Sequence, residues 1–107
     1  MKDDSTLGGY VAQHERPPAF EGPDGAAYSA SVFVDDVVDD DGRYGGAVLF
    51  VRWSEHGERP VGHVESPLVA FGTTPEEARD SVLAMSLHRV KELLDDAVLA
   101  SKERPAW

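Results

Sequence analysis

Five aspartates, Asp35, Asp36, Asp39, Asp40 and Asp41, crowd the approach to Gly42. Runs of carboxylates hold calcium when their spacing is right, because the ion takes six or more oxygen ligands. With Gly42 at the sixth position of an EF-hand loop, Asp39 and Asp41 fall on ligand positions, but Val37 and Val48 occupy the first and twelfth, which must be ligands. No helical pattern flanks the loop. The run reads as a solvated acidic hairpin, and no metal is assigned to it.

The remaining reactive residue types are equally scattered. His14, His56, His63 and His88 lack the spacing of a zinc-binding helix. His63 and Glu65 share a strand face, and His88 and Glu92 are one helical turn apart, which suits weak surface pairs. Ser29, Ser31, Ser54, Ser66, Ser81 and Ser86 do not occur in a nucleophile elbow. Gly45 and Gly46 open a strand and serve a turn, not a phosphate. Cysteine is absent, which removes disulfides, thiolate metal ligands and thiol nucleophiles. These observations assign no catalytic residue and no cofactor. The chain is read as a non-enzymatic interaction or regulatory module; the alternative is a small ligand-binding protein or enzyme whose site assembles from dispersed residues.

The whole chain sets further bounds. Its 107 residues suit one domain with one core. The net charge is −10, from 10 basic and 20 acidic side chains. Nucleic-acid affinity comes largely from lysine and arginine neutralising phosphates, so this charge argues against nucleic acid and against anionic membranes. It would attract a basic protein partner. No signal-peptide pattern opens the sequence and no apolar run is long enough to span a bilayer, so the default compartment is the cytoplasm.

Residues 1–25 are rich in glycine and proline and read as a mobile arm, with one short strand near Tyr10 and Phe20 docked on the rest. Residues 26–104 form the domain. Tyr28, Ala30, Val32 and Val34 alternate with more polar neighbours, which predicts a strand with one apolar face. Asp41-Gly42 supplies a hairpin turn. Ala47–Trp53 is apolar on both faces and reads as a central strand. A third strand starts at Val61, breaks at Pro67 because proline lacks the amide proton of a ladder, and resumes at Leu68.

Thr74-Pro75-Glu76-Glu77 then announces a helix, with a capping threonine, proline at the first helical position and Glu77 to close a capping box. The pattern continues to about Lys102, before Pro105. Val82, Leu83, Leu87, Val90, Leu93, Leu94, Ala97 and Val98 share its apolar face, and Leu87→Asp is expected to unfold the domain. The fold class predicted is α+β, a three-stranded antiparallel meander packed by one long C-terminal helix.

The helix, at roughly 40 Å, is longer than strands of roughly 26 Å. Its apolar face around Leu94 and Val98 is therefore expected to overhang the sheet. A bend, the N-terminal arm or self-association would cover it. Leu94, Val98 and the terminal Trp107 are the candidate interaction surface, with a protein partner or a second copy as occupant. Deleting residues 1–20 is expected to leave stability nearly intact.

Two segments, Asp41-Gly42-Arg43-Tyr44-Gly45 and Gly72-Thr73-Thr74-Pro75-Glu76-Glu77-Ala78, resemble the hairpin and helix start of HicB-like antitoxin domains across Tyr28 to about Leu99. The chain departs from that pattern in carrying Val64-Glu65-Ser66-Pro67-Leu68 where the family has a proline-rich stretch, and no DNA-binding module follows the helix. The resemblance implies a protein-binding module without the DNA-binding half, whose acidic surface would suit a basic, toxin-like partner.

Overall fold

The computed structural model describes residues 5–103. Its core is an antiparallel sheet covered on one face by helices. The strands are β1 (Ala19–Glu21), β2 (Ala27–Val34), β3 (Tyr44–Trp53), β4 (Pro60–Glu65) and β5 (Ala70–Gly72). The helices are α1 (Leu7–His14), α2 (Pro75–Leu83) and α3 (Leu87–Glu103). The sheet order is β1-β2-β3-β4, and β5 pairs with the start of β3.

β3 is central, as its apolar character predicts: it pairs with β2 along one side and with β4 and then β5 along the other. The expected third strand is thus two pieces separated by Ser66–Val69. Pro67 causes the interruption, and the chain crosses it by a side-chain substitute. Ser66 Oγ accepts a hydrogen bond from the Val48 amide at 3.0 Å and donates to the Pro67 carbonyl at 2.8 Å. Turns at Gly25, Gly42 and Gly57 have φ of 80°, 75° and 71°, a region open to glycine at no steric cost.

The α+β class with an antiparallel sheet is as expected, but five strands replace three and three helices replace one. The first strand in the sheet order, β1, comes from the segment read as an arm. It pairs Phe20 with Tyr28, and Phe20 packs against the core. At Tyr10, where a short strand was expected, there is a helix. Thr6 caps it by accepting from the Gly9 amide at 3.0 Å. Two glycines disfavour a helix, but Gly8 lets it approach α2: a Cβ there would lie 3.0 Å from both the Leu83 Cβ and carbonyl oxygen. Leu7, 1% exposed, sits inside the core. Residues 7–14 form a helix with Leu7 in the core, so deletion of residues 1–20 would remove a packed element.

The single long helix is broken between α2 and α3. The N-terminal segment lies across the break: the Leu7 amide donates to the Met85 carbonyl at 2.9 Å, and the Leu87 amide donates to the Ser5 carbonyl at 2.8 Å. Thr6 and Ser86 form an antiparallel bridge there. Ser86 then caps α3 by accepting from the Arg89 amide at 3.0 Å. The mismatch between helix and sheet lengths is resolved by this bend together with the arm.

Within α2, the Thr74 hydroxyl oxygen accepts from the Glu77 amide at 3.1 Å. The Glu77 carboxylate reaches back to Thr73, accepting from its amide at 3.2 Å and from its hydroxyl. The box therefore closes one residue earlier than the sequence pattern suggests. α2 lies tight on the sheet because Gly46 has no side chain; a Cβ there would lie 2.6 Å from Val82 Cγ2.

Candidate interaction surface

The apolar helical face is buried, not displayed. Leu94 and Val98 are 0% and 1% exposed and join Val82, Val90 and Leu93 against Tyr28, Val48 and Phe50. They come together in the core, so they form no exposed surface on this chain. Leu87 begins α3 only half-buried, so the substitution that tests core burial belongs at Leu94. Trp107, the third candidate, lies outside the described residues.

Exposed apolar side chains occur instead on the sheet face that carries no helix. Paired residues of an antiparallel ladder point to the same side. Tyr28, Ala30 and Val32 with Phe50 and Val48 point toward the helices, so their neighbours point away. The open face therefore carries Phe33, Leu49, Val51 and Trp53, with Ser29 and Ser31 between them. Phe71, paired with Gly45, joins them, as does Leu68, whose Cδ1 would stand 2.6 Å from a Cβ on Gly45. Phe33, Leu68 and Phe71 are 41%, 42% and 41% exposed. Leu49, Val51 and Trp53 are half-buried by their own neighbours.

Polar contacts fix this face without covering it. The Trp53 indole N–H donates to Ser29 Oγ at 3.0 Å, laying the ring across the strands. The Arg43 guanidinium stands 4.9 Å from the centre of the Phe71 ring and pairs with Asp39 at 3.3 Å and Asp41 at 3.6 Å. Glu21, opposite Ala27, and Glu65, opposite Leu49, put carboxylates on the two outer strands of the same face. The result is an apolar strip between acidic margins.

The acidic hairpin satisfies itself. Asp39 Oδ1 accepts from the amides of Asp41 and Arg43, both at 2.9 Å. The Arg43 amide, and then the Asp41 amide and the Arg43 charge, hold the Asp39 carboxyl below its ordinary range. Among the described residues no group of three or more histidine or acidic side chains is arranged to hold a metal ion.

One other polar cluster has displaced titration. Asp24 Oδ2 accepts from the Tyr28 hydroxyl at 2.8 Å and from Arg52 Nε at 3.4 Å, and Oδ1 accepts from the Ala26 amide at 3.2 Å. Burial alone would raise the Asp24 carboxyl, but these hydrogen bonds outweigh it and hold the group below its usual range. Burial, then the hydrogen bond to Asp24, pushes the Tyr28 phenol up. Every partner of this carboxylate belongs to the β1–β2 hairpin or to the strand beside it, so its chemistry is that of a turn clamp.

Sequence reasoning missed the open face because Ala47–Trp53, apolar on both sides, reads as a strand covered twice. The alternation of Phe33 with Val32 and Val34 was the available signal. No helix of the described residues is long and apolar enough to cross a membrane. Comparison of the chain with protein-family models, with curated proteins and with solved structures finds no match in any of the three.

Proposed function

We propose that this chain is a non-enzymatic protein-interaction module that binds a basic protein through the helix-free face of its sheet. The observation that carries the reading is the exposed strip of Phe33, Leu68 and Phe71 running into Leu49, Val51 and Trp53. Contiguous apolar surface of this kind marks interaction sites on small proteins. The acidic margins and the net charge of −10 favour a positively charged occupant over a second copy of this chain. The resemblance to HicB-like antitoxin domains points to the same class of partner.

The test is capture of the tagged protein with its partner from the native host, compared with a Leu49→Asp variant. Leu49 is on the open face and half-buried, so the variant should fold. The reading expects one stoichiometric basic protein that is lost from the variant and weakened by salt. Retention of the same protein by a folded Leu49→Asp variant would remove the sheet face from the interaction.

A further inference from the structure

A hollow of about 540 Å³ lies beside β4 and not on the apolar strip. One wall is His63 to Pro67, five consecutive residues; the other is Asp96, Ala97, Ala100 and Ser101 on one face of α3. Side chains of a strand alternate between faces. A wall made of consecutive residues is therefore the edge of the strand, backbone included. β4 ends the sheet order, so among the described residues this edge has no neighbouring strand.

The ladder fixes which backbone groups face the groove. The Ser66 amide donates to the Val48 carbonyl at 3.0 Å, which marks that pair as a hydrogen-bonded one. Antiparallel pairs alternate, so the Val64 and Gly62 amides turn to β3, and those of His63 and Glu65 turn outward. Proteins commonly guard such an edge with lysine or proline. Between Pro60 and Pro67 this one carries neither.

The charges say what fits. Asp96 faces the groove from α3 and Glu65 borders it on the helix-free side of β4, and neither has an ion-pair partner among the described residues. Among the described residues no lysine or arginine lines it. Ala97 and Ala100 leave an apolar floor.

We infer that an extended, lysine- or arginine-bearing segment of a protein partner adds to β4 as a further strand, lying between the strand and α3. Its backbone pairs with His63 and Glu65, its basic side chains meet Glu65 on the helix-free side, and its alternate side chains rest on the alanines of α3. Strand addition of this type takes affinity from the main chain and selectivity from side chains. The inference rests on the proposed binding of a basic protein and names a second element of that contact.

The test uses the full chain and a fluorescent hexapeptide of alternating lysine and valine, matched to the six residues of β4. Two controls accompany it: the same peptide with glutamate for lysine, and one N-methylated on alternate residues in each of the two possible phases. The lysine peptide should bind at least about tenfold tighter than the glutamate one. One N-methylated phase should lose binding, and the largest amide shifts should fall on His63 and Glu65. His63→Pro should abolish binding while sparing the fold, because that amide does not serve the ladder to β3. Equal binding of both N-methylated phases, or unchanged binding to a folded His63→Pro variant, would mean charge attraction alone and overturn the proposal. Loss of the native partner from Leu49→Asp without any effect of His63→Pro on either ligand would overturn strand addition and leave the sheet-face reading standing.

Discussion

The hydroxyl of Tyr28, a residue 2% exposed, donates to the Asp24 carboxylate at 2.8 Å. A core side chain is thereby tied at its tip to the turn that joins β1 to β2. Hydrogen bonds to a charged group contribute about 1.5–3 kcal/mol each when broken singly. Asp24→Asn turns an amide donor or a weaker acceptor toward Tyr28 and Arg52, and should cost about 1–2 kcal/mol at neutral pH. The Asp24 pKa is depressed in the folded state, so its contribution is present above the unfolded value of about 4 and is lost as pH falls through the folded value. Thermal melts of both proteins between about pH 7 and pH 2 should converge in acid. A constant gap across that range would mean that Asp24 stabilises by packing and not by its charge.

Ser66 is 6% exposed, and its hydroxyl replaces a ladder carbonyl for the amide of Val48. Ser66→Ala leaves that buried donor without a partner, a loss of about 1–3 kcal/mol. Denaturant unfolding should show a lower midpoint with an unchanged slope, and hydrogen exchange at the Val48 amide should speed up by about tenfold for each 1.4 kcal/mol lost.

Leu7→Ala distinguishes a docked N-terminal helix from an arm. Leu7 is 1% exposed among core residues, and truncating a buried leucine costs about 2–5 kcal/mol. Calorimetry should show a single, lower transition. A melting temperature unchanged from the parent would place the helix outside the cooperative unit.

Glu15 ends α1 with φ 55° and ψ 32°, a left-handed conformation that costs a non-glycine residue about 1–2 kcal/mol. Its amide donates to the Val11 carbonyl at 2.8 Å, and glycine keeps that bond. Glu15→Gly should therefore raise stability by about 1 kcal/mol, or about 4–8 °C in melting temperature for a domain of this size.

Much of the sheet was legible from the chain because its signals are local. The Asp41-Gly42 turn, the two-residue period of Tyr28 to Val34 and the Thr74-Pro75 helix start each depend on neighbours in sequence. The break between Leu83 and Leu87 was not legible. The apolar period runs on through it, since Val82 and Val90 are both buried. What stops the helix is the arrival of Ser5 to Leu7, a tertiary event with no mark at Ala84 or Met85. α1 was hidden for the converse reason: Gly8 and Gly9 argue against a helix on propensity, and only the contact with Leu83 makes the small residue an advantage. The interaction surface was half legible. Leu94 and Val98 are as apolar as the pattern indicates, but the bend carries them over the sheet and leaves the reverse side of the same strands uncovered.

The bridge between Thr6 and Ser86 joins segments far apart in the chain. During synthesis the N-terminal residues leave the ribosome long before their partners exist. The β2–β3 hairpin and its neighbours can assemble from local contacts in that interval, but the docking of α1 must wait for α3. Contacts between distant residues close loops at an entropic cost and slow folding. The last step in forming the native state should accordingly be the seating of Leu7, with the nascent sheet already in place and its helix-facing side still exposed to chaperones.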